Sequence, residues 1–284
     1  MNRLRNVKCT PTKNALNPLP LMTFPPDSTF SALPRVYGQD TCAQLTKLRI
    51  CVVGVGGVGS WAVESLARTG LGHLTIIDHD DVTPSNTNRQ VHALGSTVGQ
   101  SKVDLMQQRV VDINPDCQID AIDDFLVENN LAKYLDREFD VVIDAIDSIR
   151  FKAAMIYHCK RNKIPIVTTG GAGGRIDPLK VDVADLSRTW NDALAAGVRS
   201  RLRSEYGYTT NPKRRFGVEC VYSSEQPVYP DKSGGVTHSK PGVPGATLDC
   251  EHGYGSVCGV TCTFGMVAAS RAIRKATAPK RQQD

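Results

Sequence analysis

The sequence predicts an α/β protein with a Rossmann-like fold, in which helices cover both faces of a mostly parallel, twisted sheet. Segments typical of strands and helices alternate from residue 49 to residue 174, as they do when each strand is followed by a crossover helix. Within this region, residues 50–81 place a glycine-rich turn between an apolar strand and an amphipathic helix, and a second apolar strand follows. This is the order of a nucleotide-binding unit.

The glycine-rich turn is the first predicted binding element. It contains Gly54, Gly56, Gly57 and Gly59. Glycine allows the backbone to approach a phosphate closely, and the helix that begins there directs free N–H groups toward it. Asp78 ends the next strand, where an acid commonly binds a ribose hydroxyl. The pattern predicts nucleotide binding, but it does not distinguish NAD from ATP.

The other core elements follow from apolar spacing and from turn residues. Residues 33–48 predict a short helix that leads into a strand at 49–53. Ser101 is a suitable N-cap for the next long helix, in which apolar residues recur at helical spacing until Pro115. Further predictions are a strand at 118–122, a helix at 127–135, a buried strand ending at Asp144, a helix at 149–163 and a strand that enters a second glycine turn at 170–174.

The region after residue 177 has a different pattern. Shorter strands accompany a basic helical segment at 190–206, and the Gly-, Pro- and Ser-rich stretch 223–246 predicts a mobile or crossover loop. The closing segment 253–276 is apolar, but Gly and Thr interrupt it. It therefore predicts a packed core helix, and no stable membrane span is expected.

Length and composition favour one globular domain. We expect this domain at 33–278, with a core at 49–174 and a loop-rich, substrate-facing part at 175–254. A flexible basic lead-in at 1–32 and a tail at 279–284 would flank it. The nine cysteines show no paired spacing, which favours a reducing compartment. We therefore expect a cytoplasmic protein, with a mitochondrial location as the alternative because the lead-in is basic and poor in acids.

The positive charge is concentrated in one segment. Residues 199–215 contain six basic residues and a single acid, Glu205. The basic residues are Arg199, Arg201, Arg203, Lys213, Arg214 and Arg215. Most such charge runs are solvated surfaces, and this interpretation is the simpler one. The alternative is a nucleic-acid surface, because cationic side chains that neutralise phosphates supply much of the affinity for nucleic acids.

Several polar residues should meet at one edge of the sheet. Lys102 lies in the first turn of its helix, and Asp144 and Asp147 follow a buried strand. In parallel sheets, ligands bind beyond the carboxyl ends of the strands. Carboxylates beside a phosphate-binding turn would suit a nucleotide with magnesium. The alternative is that Asp144 or Asp147 only caps the following helix.

A resemblance to a known family begins at the glycine turn. The string GVGGVGSWAVESLARTGLGHLTIIDHDDVTPSNTNRQ resembles the adenylation site of the ubiquitin-activating-enzyme-like (ThiF/MoeB) superfamily, and SNTNRQ is its strongest marker. Within this superfamily, the strings SNTNRQVHAL, VIDAIDS, NKIPIVTTGGAGG and DC-x-x-G-x-G resemble the tRNA threonylcarbamoyladenosine dehydratase branch. The resemblance extends over residues 35–275, which is most of the chain.

The resemblance implies ATP-dependent closure of N6-threonylcarbamoyladenosine, beside the anticodon of tRNA, to its cyclic oxazolone form with loss of water. The four glycines would bind phosphate, and Asp78 would hold ribose, with Asp80 beside it. Arg89 and Lys102 would be catalytic, and together with Asn86 they would contact the triphosphate. Asp144 and Asp147 would also contact the nucleotide, and Asp147 would in addition take part in catalysis and hold Mg²⁺. Cys250, which lies in the DC-x-x-G-x-G element, would be a nucleophile or a sulfur-relay residue. For Cys250, a small cysteine without a catalytic role is an equally good interpretation.

Two features depart from the wider superfamily. Many members bind structural zinc through two CxxC pairs, whereas the close pair here, Cys258 and Cys262, is CxxxC, so we expect no zinc. Relatives that activate carrier proteins also have an Arg-Tyr-x-Arg-Gln opening that reaches into a partner subunit. The corresponding string here is RVYG, beginning at Arg35, and it lacks the second arginine.

Other interpretations are kept open. The chain could instead adenylate the terminus of a ubiquitin-like or sulfur-carrier protein, or it could be a nucleotide-sensing module; NAD-dependent reduction is the weakest alternative. The resemblance also implies a homodimer and a cysteine desulfurase or sulfur acceptor as partner. A monovalent cation, Na⁺ or K⁺, beside magnesium stays open.

Overall fold

The computed structural model describes residues 29–136, 138–231, 233–239 and 255–279. Its centre is a seven-stranded sheet with the strand order β3-β2-β1-β4-β5-β7-β6, in which β6 alone runs antiparallel to its neighbour. The strands are β1 (Arg49–Val53), β2 (His73–Asp78), β3 (Gln118–Asp123), β4 (Val141–Asp144), β5 (Ile166–Thr169), β6 (Val181–Asp185) and β7 (Glu219–Ser223). The mostly parallel α/β fold predicted from the sequence is confirmed.

Helices cover both faces of the sheet, as predicted. Those of the described residues are α1 (Pro34–Tyr37), α2 (Gln39–Leu45), α3 (Gly59–Ala67), α4 (Lys102–Ile113), α5 (Leu131–Leu135), α6 (Ile149–Arg161), α7 (Ala193–Tyr206) and α8 (Cys258–Ala276). One apolar core joins α3, α4 and α8 to the sheet, and the other joins α5, α6 and α7. Helices α3 and α8 pack closely, since a β-carbon on Gly265 would be 2.4 Å from the carbonyl oxygen of Val58.

The central strands are buried on both faces, which explains their continuous apolar sequence. Every residue of β4 is buried, and so are the last four of β1. β1 lies between β2 and β4, with Val53 opposite both Ile77 and Asp144. The glycine turn after β1 and the loop after β4 therefore leave the sheet side by side, at its carboxyl edge.

Several predicted elements differ from the structure. The helix predicted at 33–48 is divided into α1 and α2 by Gly38, whose φ of 80° is left-handed. The helix predicted at 127–135 begins as a 3₁₀ turn, Glu128–Asn130. The helix predicted from residue 190 begins only at Ala193, because Asn191 has a φ of 52° and Asp192 caps the helix.

The stretch 223–246 was predicted as a loop, but its described part contains a short antiparallel ribbon. The ribbon pairs β8 (Tyr229–Pro230) with β9 (Val236–Thr237). Asp231 stabilises the connecting turn by accepting hydrogen bonds from the N–H groups of Ser233 and Gly235. The alternation that signals a strand is too short here to be recognised in the sequence.

The closing apolar segment forms α8, as the sequence predicts. Phe264 and Ala268 are among its completely buried residues, and both belong to the core beneath the sheet. Across the described ranges, no helix has the length and hydropathy needed to cross a membrane.

Candidate functional site

The first glycine turn connects β1 to α3 at the carboxyl edge of the sheet. Gly54 has a φ of 85°, and a β-carbon there would lie 3.1 Å from the carbonyl oxygen of Ala145. A β-carbon on Gly59 would lie 1.7 Å from the carbonyl oxygen of Gly54. These two glycines are therefore required by the turn itself. A β-carbon on Gly56 or Gly57 would meet only side chains, those of Gln90 and Arg89, so the turn itself does not require glycine at these two positions.

Asp78, at the end of β2, is bonded to the glycine turn. Its Oδ2 accepts a hydrogen bond from the N–H of Val55 at 2.6 Å, and its Oδ1 accepts one from the N–H of Asp80 at 3.0 Å. Both bonds restrict the carboxylate to the rim of the turn. This is the position that a ribose-binding acid occupies in nucleotide-binding units.

Lys102 also reaches this rim. Ser101 caps α4 by accepting a hydrogen bond from the N–H of Asp104, so Lys102 is the first residue of the helix, as the sequence predicts. Its side chain is only 6% exposed, and its Nζ lies 2.7 Å from Oδ2 of Asp80, which is 51% exposed. The ammonium group is thus held close to the surface by a carboxylate that remains open to solvent.

Asn86 and Arg89 lie on the turn that follows β2. Asn86 is buried, and its side-chain oxygen accepts a hydrogen bond from the N–H of Thr83, which closes the 3₁₀ turn Pro84–Asn86. The side chain of Arg89 passes over the glycine turn, with its Cδ 3.3 Å from the β-carbon position of Gly57. The structure therefore brings an arginine directly beside the predicted phosphate-binding backbone.

Asp144, which was predicted to contribute to the nucleotide site, has no exposure to solvent. It is completely buried, its Oδ1 lies 2.8 Å from Nζ of Lys152, and its Oδ2 accepts a hydrogen bond from the hydroxyl of Thr168. Burial raises the pKa of this carboxyl group, while the ammonium of Lys152 acts in the opposite direction. In this position Asp144 joins strand ends and is closed to a nucleotide.

Asp147, the predicted magnesium ligand, is exposed on the loop after β4. This loop touches the glycine turn, since Ile146 lies 3.0 Å from the β-carbon position of Gly54. An exposed carboxylate suits Mg²⁺, which prefers oxygen ligands. A separate group of candidate ligands, Asp78, His79 and Asp80, brings its ligand atoms within 4.8 Å of one another. Asp147 is not a member of that group.

The second glycine turn, after β5, is held by residues that the sequence analysis did not single out. Asp192 accepts a hydrogen bond from the N–H of Gly171 at 3.0 Å, and the buried Arg175 donates to the carbonyl of the same glycine. The N–H of Gly174 donates to the carbonyl of Gly255 at 2.7 Å. An Asp just before a helical segment is a typical N-cap signal, and this signal could have identified Asp192.

Comparison with models of protein families identifies the family of this chain. The family model described as the ThiF family matches residues 30–281. The chain belongs to the ThiF family.

Two bacterial relatives of this ThiF-family protein are similar to it over most of their length. The tRNA threonylcarbamoyladenosine dehydratase of Escherichia coli (strain K12) is 49% identical over 255 residues, which are 89% of this chain and 95% of that protein. The enzyme of the same name from Bacillus subtilis (strain 168) is 41% identical over 199 residues, 70% of this chain and 76% of that protein. The crystal structure of the E. coli enzyme, TcdA, in complex with ATP has a TM-score of 0.79 and 46% identity, covering 90% of this chain and 96% of that one.

The predicted basic segment of the ThiF-family protein is divided by the fold. Arg199 is partly buried against Thr189, Arg201 forms an ion pair with Glu205, and Arg203 lies over the ring of Phe216. Lys213, Arg214 and Arg215 are exposed, on the loop that precedes β7. The amino end of β7 is at the edge opposite to the glycine turns. The structure thus does not bring these three cations together with the predicted nucleotide-binding residues.

The structure describes some of the cysteines considered above but not Cys250. Cys250 lies outside the described residues, so its predicted role stays a prediction. Cys220 is completely buried in β7, and burial raises the pKa of its thiol. Because the thiolate is the reactive form, this environment disfavours nucleophilic chemistry at Cys220. Cys258 and Cys262 lie on α8, as predicted.

His92 is a further buried group that the sequence analysis did not single out. It follows the Asn/Arg turn closely in sequence, it is 4% exposed, and neither ring nitrogen has a hydrogen-bond partner in the described structure. Burial, followed by the positive charges of Lys102 and Arg109, lowers the pKa of His92 to about 4. The imidazole of the folded protein is therefore neutral at pH 7.

This lowered pKa predicts a loss of stability in mild acid. Below about pH 6.5 the unfolded chain binds a proton at His92 that the folded protein does not bind, so the free energy of unfolding falls toward pH 4. The expected contribution is roughly 3 kcal/mol across this range. Urea unfolding of the wild type and of His92→Gln at several pH values would measure it. Parallel pH dependence in the two proteins would contradict the prediction.

Proposed function

We propose that this ThiF-family protein catalyses the ATP-dependent dehydration of N6-threonylcarbamoyladenosine in tRNA to its cyclic oxazolone form. The observation that supports the proposal best is that Asp78 and Arg89 contact one glycine turn while Lys102 pairs with Asp80 beside it, in a chain 49% identical to the E. coli dehydratase. A nucleotide at this rim would have backbone N–H groups and two cations beside its phosphates.

The reaction needs ATP because a carboxylate oxygen is a poor leaving group. In the first step the threonyl carboxylate attacks the α-phosphate of ATP, which forms an acyl-adenylate and releases pyrophosphate. In the second step the carbamoyl oxygen of the same side chain attacks the acyl carbon, AMP leaves, and the carbamoyl nitrogen loses a proton. This attack is intramolecular, so little entropy is lost in it. The net change in the nucleoside is the loss of one water.

The residues at the rim fit the first of these steps. The glycine turn would bind phosphate oxygens through its N–H groups, and Asp78 would hold the ribose. Arg89 and Lys102 would stabilise the negative charge that develops on the transferred phosphate. Asn86 would contact the triphosphate through its amide N–H groups, since its side-chain oxygen already accepts the N–H of Thr83 and closes the turn that carries Arg89.

Several parts of the proposal depend on the family resemblance. Asp147 would hold Mg²⁺, which when bound neutralises charge on phosphate oxygens. A homodimer and a sulfur-transfer partner that would use Cys250 follow from the same resemblance, whereas a monovalent cation beside Mg²⁺ stays an open part of the proposal. The lack of paired cysteine spacing favours a cytoplasmic location, with a mitochondrial location as the alternative because the lead-in is basic. The single domain at 33–278 is supported by two apolar cores that share one sheet.

The proposed RNA surface includes the exposed cations of the loop before β7. A tRNA bound with its anticodon loop at the carboxyl edge would need to follow α7 to reach Lys213, Arg214 and Arg215. Replacing these three residues with Gln is then expected to weaken tRNA binding roughly tenfold and to reduce its salt dependence. Filter binding at several salt concentrations would measure both effects.

A matched control tests whether position matters for tRNA binding or only net charge. It replaces three exposed cations elsewhere on the surface, Lys47, Arg49 and Lys133, with Gln. Equal weakening by the two triple variants, or no weakening by either, would remove this loop from the RNA surface.

The function itself is tested by incubating the pure protein with ATP and tRNA that carries threonylcarbamoyladenosine. We expect nucleosides released under mild conditions to lose the mass of one water, with one AMP formed for each ring closed. A tRNA of unchanged mass would overturn the proposal. AMP formation that required a carrier protein ending in Gly-Gly would then support the adenylyltransferase alternative.

A further inference from the structure

The backbone of Arg89 is bonded to the helix that begins at the glycine turn. The indole Nε1 of Trp61, on α3, donates a hydrogen bond to the carbonyl oxygen of Arg89 at 2.9 Å. Nearby, the hydroxyl of Ser60 accepts one from the N–H of Val91 at 3.4 Å. Since α3 begins within the glycine turn, these bonds connect the Arg89 turn to the phosphate-binding backbone itself.

The guanidinium group of Arg89 is held by a second set of contacts. Its Nη1 donates to the carbonyl of Ser85 at 2.7 Å and to the side-chain oxygen of Asn88 at 2.9 Å. The amide nitrogen of Asn88 in turn donates to the carbonyl of Ser256 at 2.7 Å, just before α8. Asn88 therefore uses both ends of its amide, one on Arg89 and one on a segment distant in sequence.

The remaining part of the side chain packs on the glycine turn. The Cγ and Cδ atoms of Arg89 each lie 3.3 Å from the β-carbon position of Gly57. The arginine is thus fixed at its backbone, along its alkyl chain and at its guanidinium. A charged group that is held in place before the reaction stabilises developing charge without reorganising.

We propose that Trp61 and Asn88 are positioning residues that hold Arg89 over the first glycine turn for the adenylation step. The inference rests on the proposed function, because it assumes that Arg89 bears on the transferred phosphate. Neither residue needs to contact ATP. The indole sets where the Arg89 backbone lies, and the amide sets the direction of the guanidinium.

Two variants remove these contacts with little change in shape. Trp61→Phe keeps an aromatic ring but has no N–H donor, and Asn88→Ala removes both amide bonds. We expect each to lower kcat for ring closure about tenfold while KM for ATP stays within about twofold, because the arginine would be less well placed but ATP would still bind. Asn162→Ala, at the opposite edge after α6, is the matched control and should be unchanged.

A double-mutant cycle separates positioning from structural roles. Under single-turnover conditions, Trp61→Phe and Asn88→Ala should not lower the rate any further when Arg89 is already Ala, because the group they position is then absent. The inference would be overturned if either substitution lowered the rate as much in Arg89→Ala as in the wild type, or if neither single variant lowered the rate. An unchanged rate in Arg89→Ala would also overturn it, whereas an inactive wild type would instead refute the proposed function.

Discussion

Replacing Lys152 with methionine is expected to lower the free energy of unfolding by about 3–5 kcal/mol. The side chains of Lys152 and Asp144 are 1% and 0% exposed, and their charged atoms lie 2.8 Å apart. Methionine keeps most of the volume of lysine but removes the charge, so the carboxylate of Asp144 would be buried without its cation. Urea unfolding at pH 7 would measure the loss.

A double variant shows whether the charge causes this loss. In Lys152→Met/Asp144→Asn neither charge remains, and the Asn amide can still bond to Thr168, so most of the lost stability should return. If the double variant were as unstable as Lys152→Met alone, packing would be the cause and the prediction would fail. Lys160→Met, whose lysine is exposed at the end of α6, should change stability by about 0.5 kcal/mol or less.

The same ion pair explains why Asp144, which ends a buried strand as predicted, is not open to a ligand. A carboxylate at the end of a buried strand, beside a phosphate-binding turn, is typical of a ligand site. Only the fold shows that Lys152, on α6, points into the protein and reaches it. Because lysine is seldom buried, no rule of apolar spacing predicts a lysine on the packed face of a helix.

The parts of the fold predicted well are those set by local patterns. β1, α3 and α4 follow from an apolar run, a glycine turn and an N-cap at Ser101, all of which act over a few residues. The antiparallel pairing of β6 with β7 joins residues that are far apart in sequence, such as Val181 and Ser223. Pairing of that kind depends on the completed sheet and leaves no local signal.

In the candidate site, too, some features follow from local sequence patterns and others depend on the completed fold. The string SNTNRQ and the glycine turn indicated Asn86, Arg89 and the predicted phosphate-binding backbone without a structure. The bond from Trp61 to the carbonyl of Arg89 could not be predicted in this way, because its acceptor is a backbone group. Every residue has such a carbonyl, so the sequence does not indicate which one an indole will find.

Replacing Lys102 with methionine is expected to lower kcat for ring closure about 10²–10³-fold, the usual cost of removing one group that stabilises developing charge. The proposed function requires this ammonium beside the transferred phosphate. Rates of AMP formation with threonylcarbamoylated tRNA would measure the effect, with Lys160→Met as the control at the opposite edge of the sheet. Activity within a few-fold of the wild type would remove Lys102 from the proposed mechanism.

The same substitution at two lysines should therefore have opposite consequences. The side chains of Lys102 and Lys152 are 6% and 1% exposed, and each is paired with an aspartate, but the partner carboxylates are 51% and 0% exposed. Water can solvate Asp80 when Lys102 is lost, so Lys102→Met should fold almost normally and fail in catalysis. Asp144 has no such access to water, so the main effect of Lys152→Met should be a lower free energy of unfolding. A large loss of stability in Lys102→Met would show that Asp80 and Lys102 serve the fold and not the reaction.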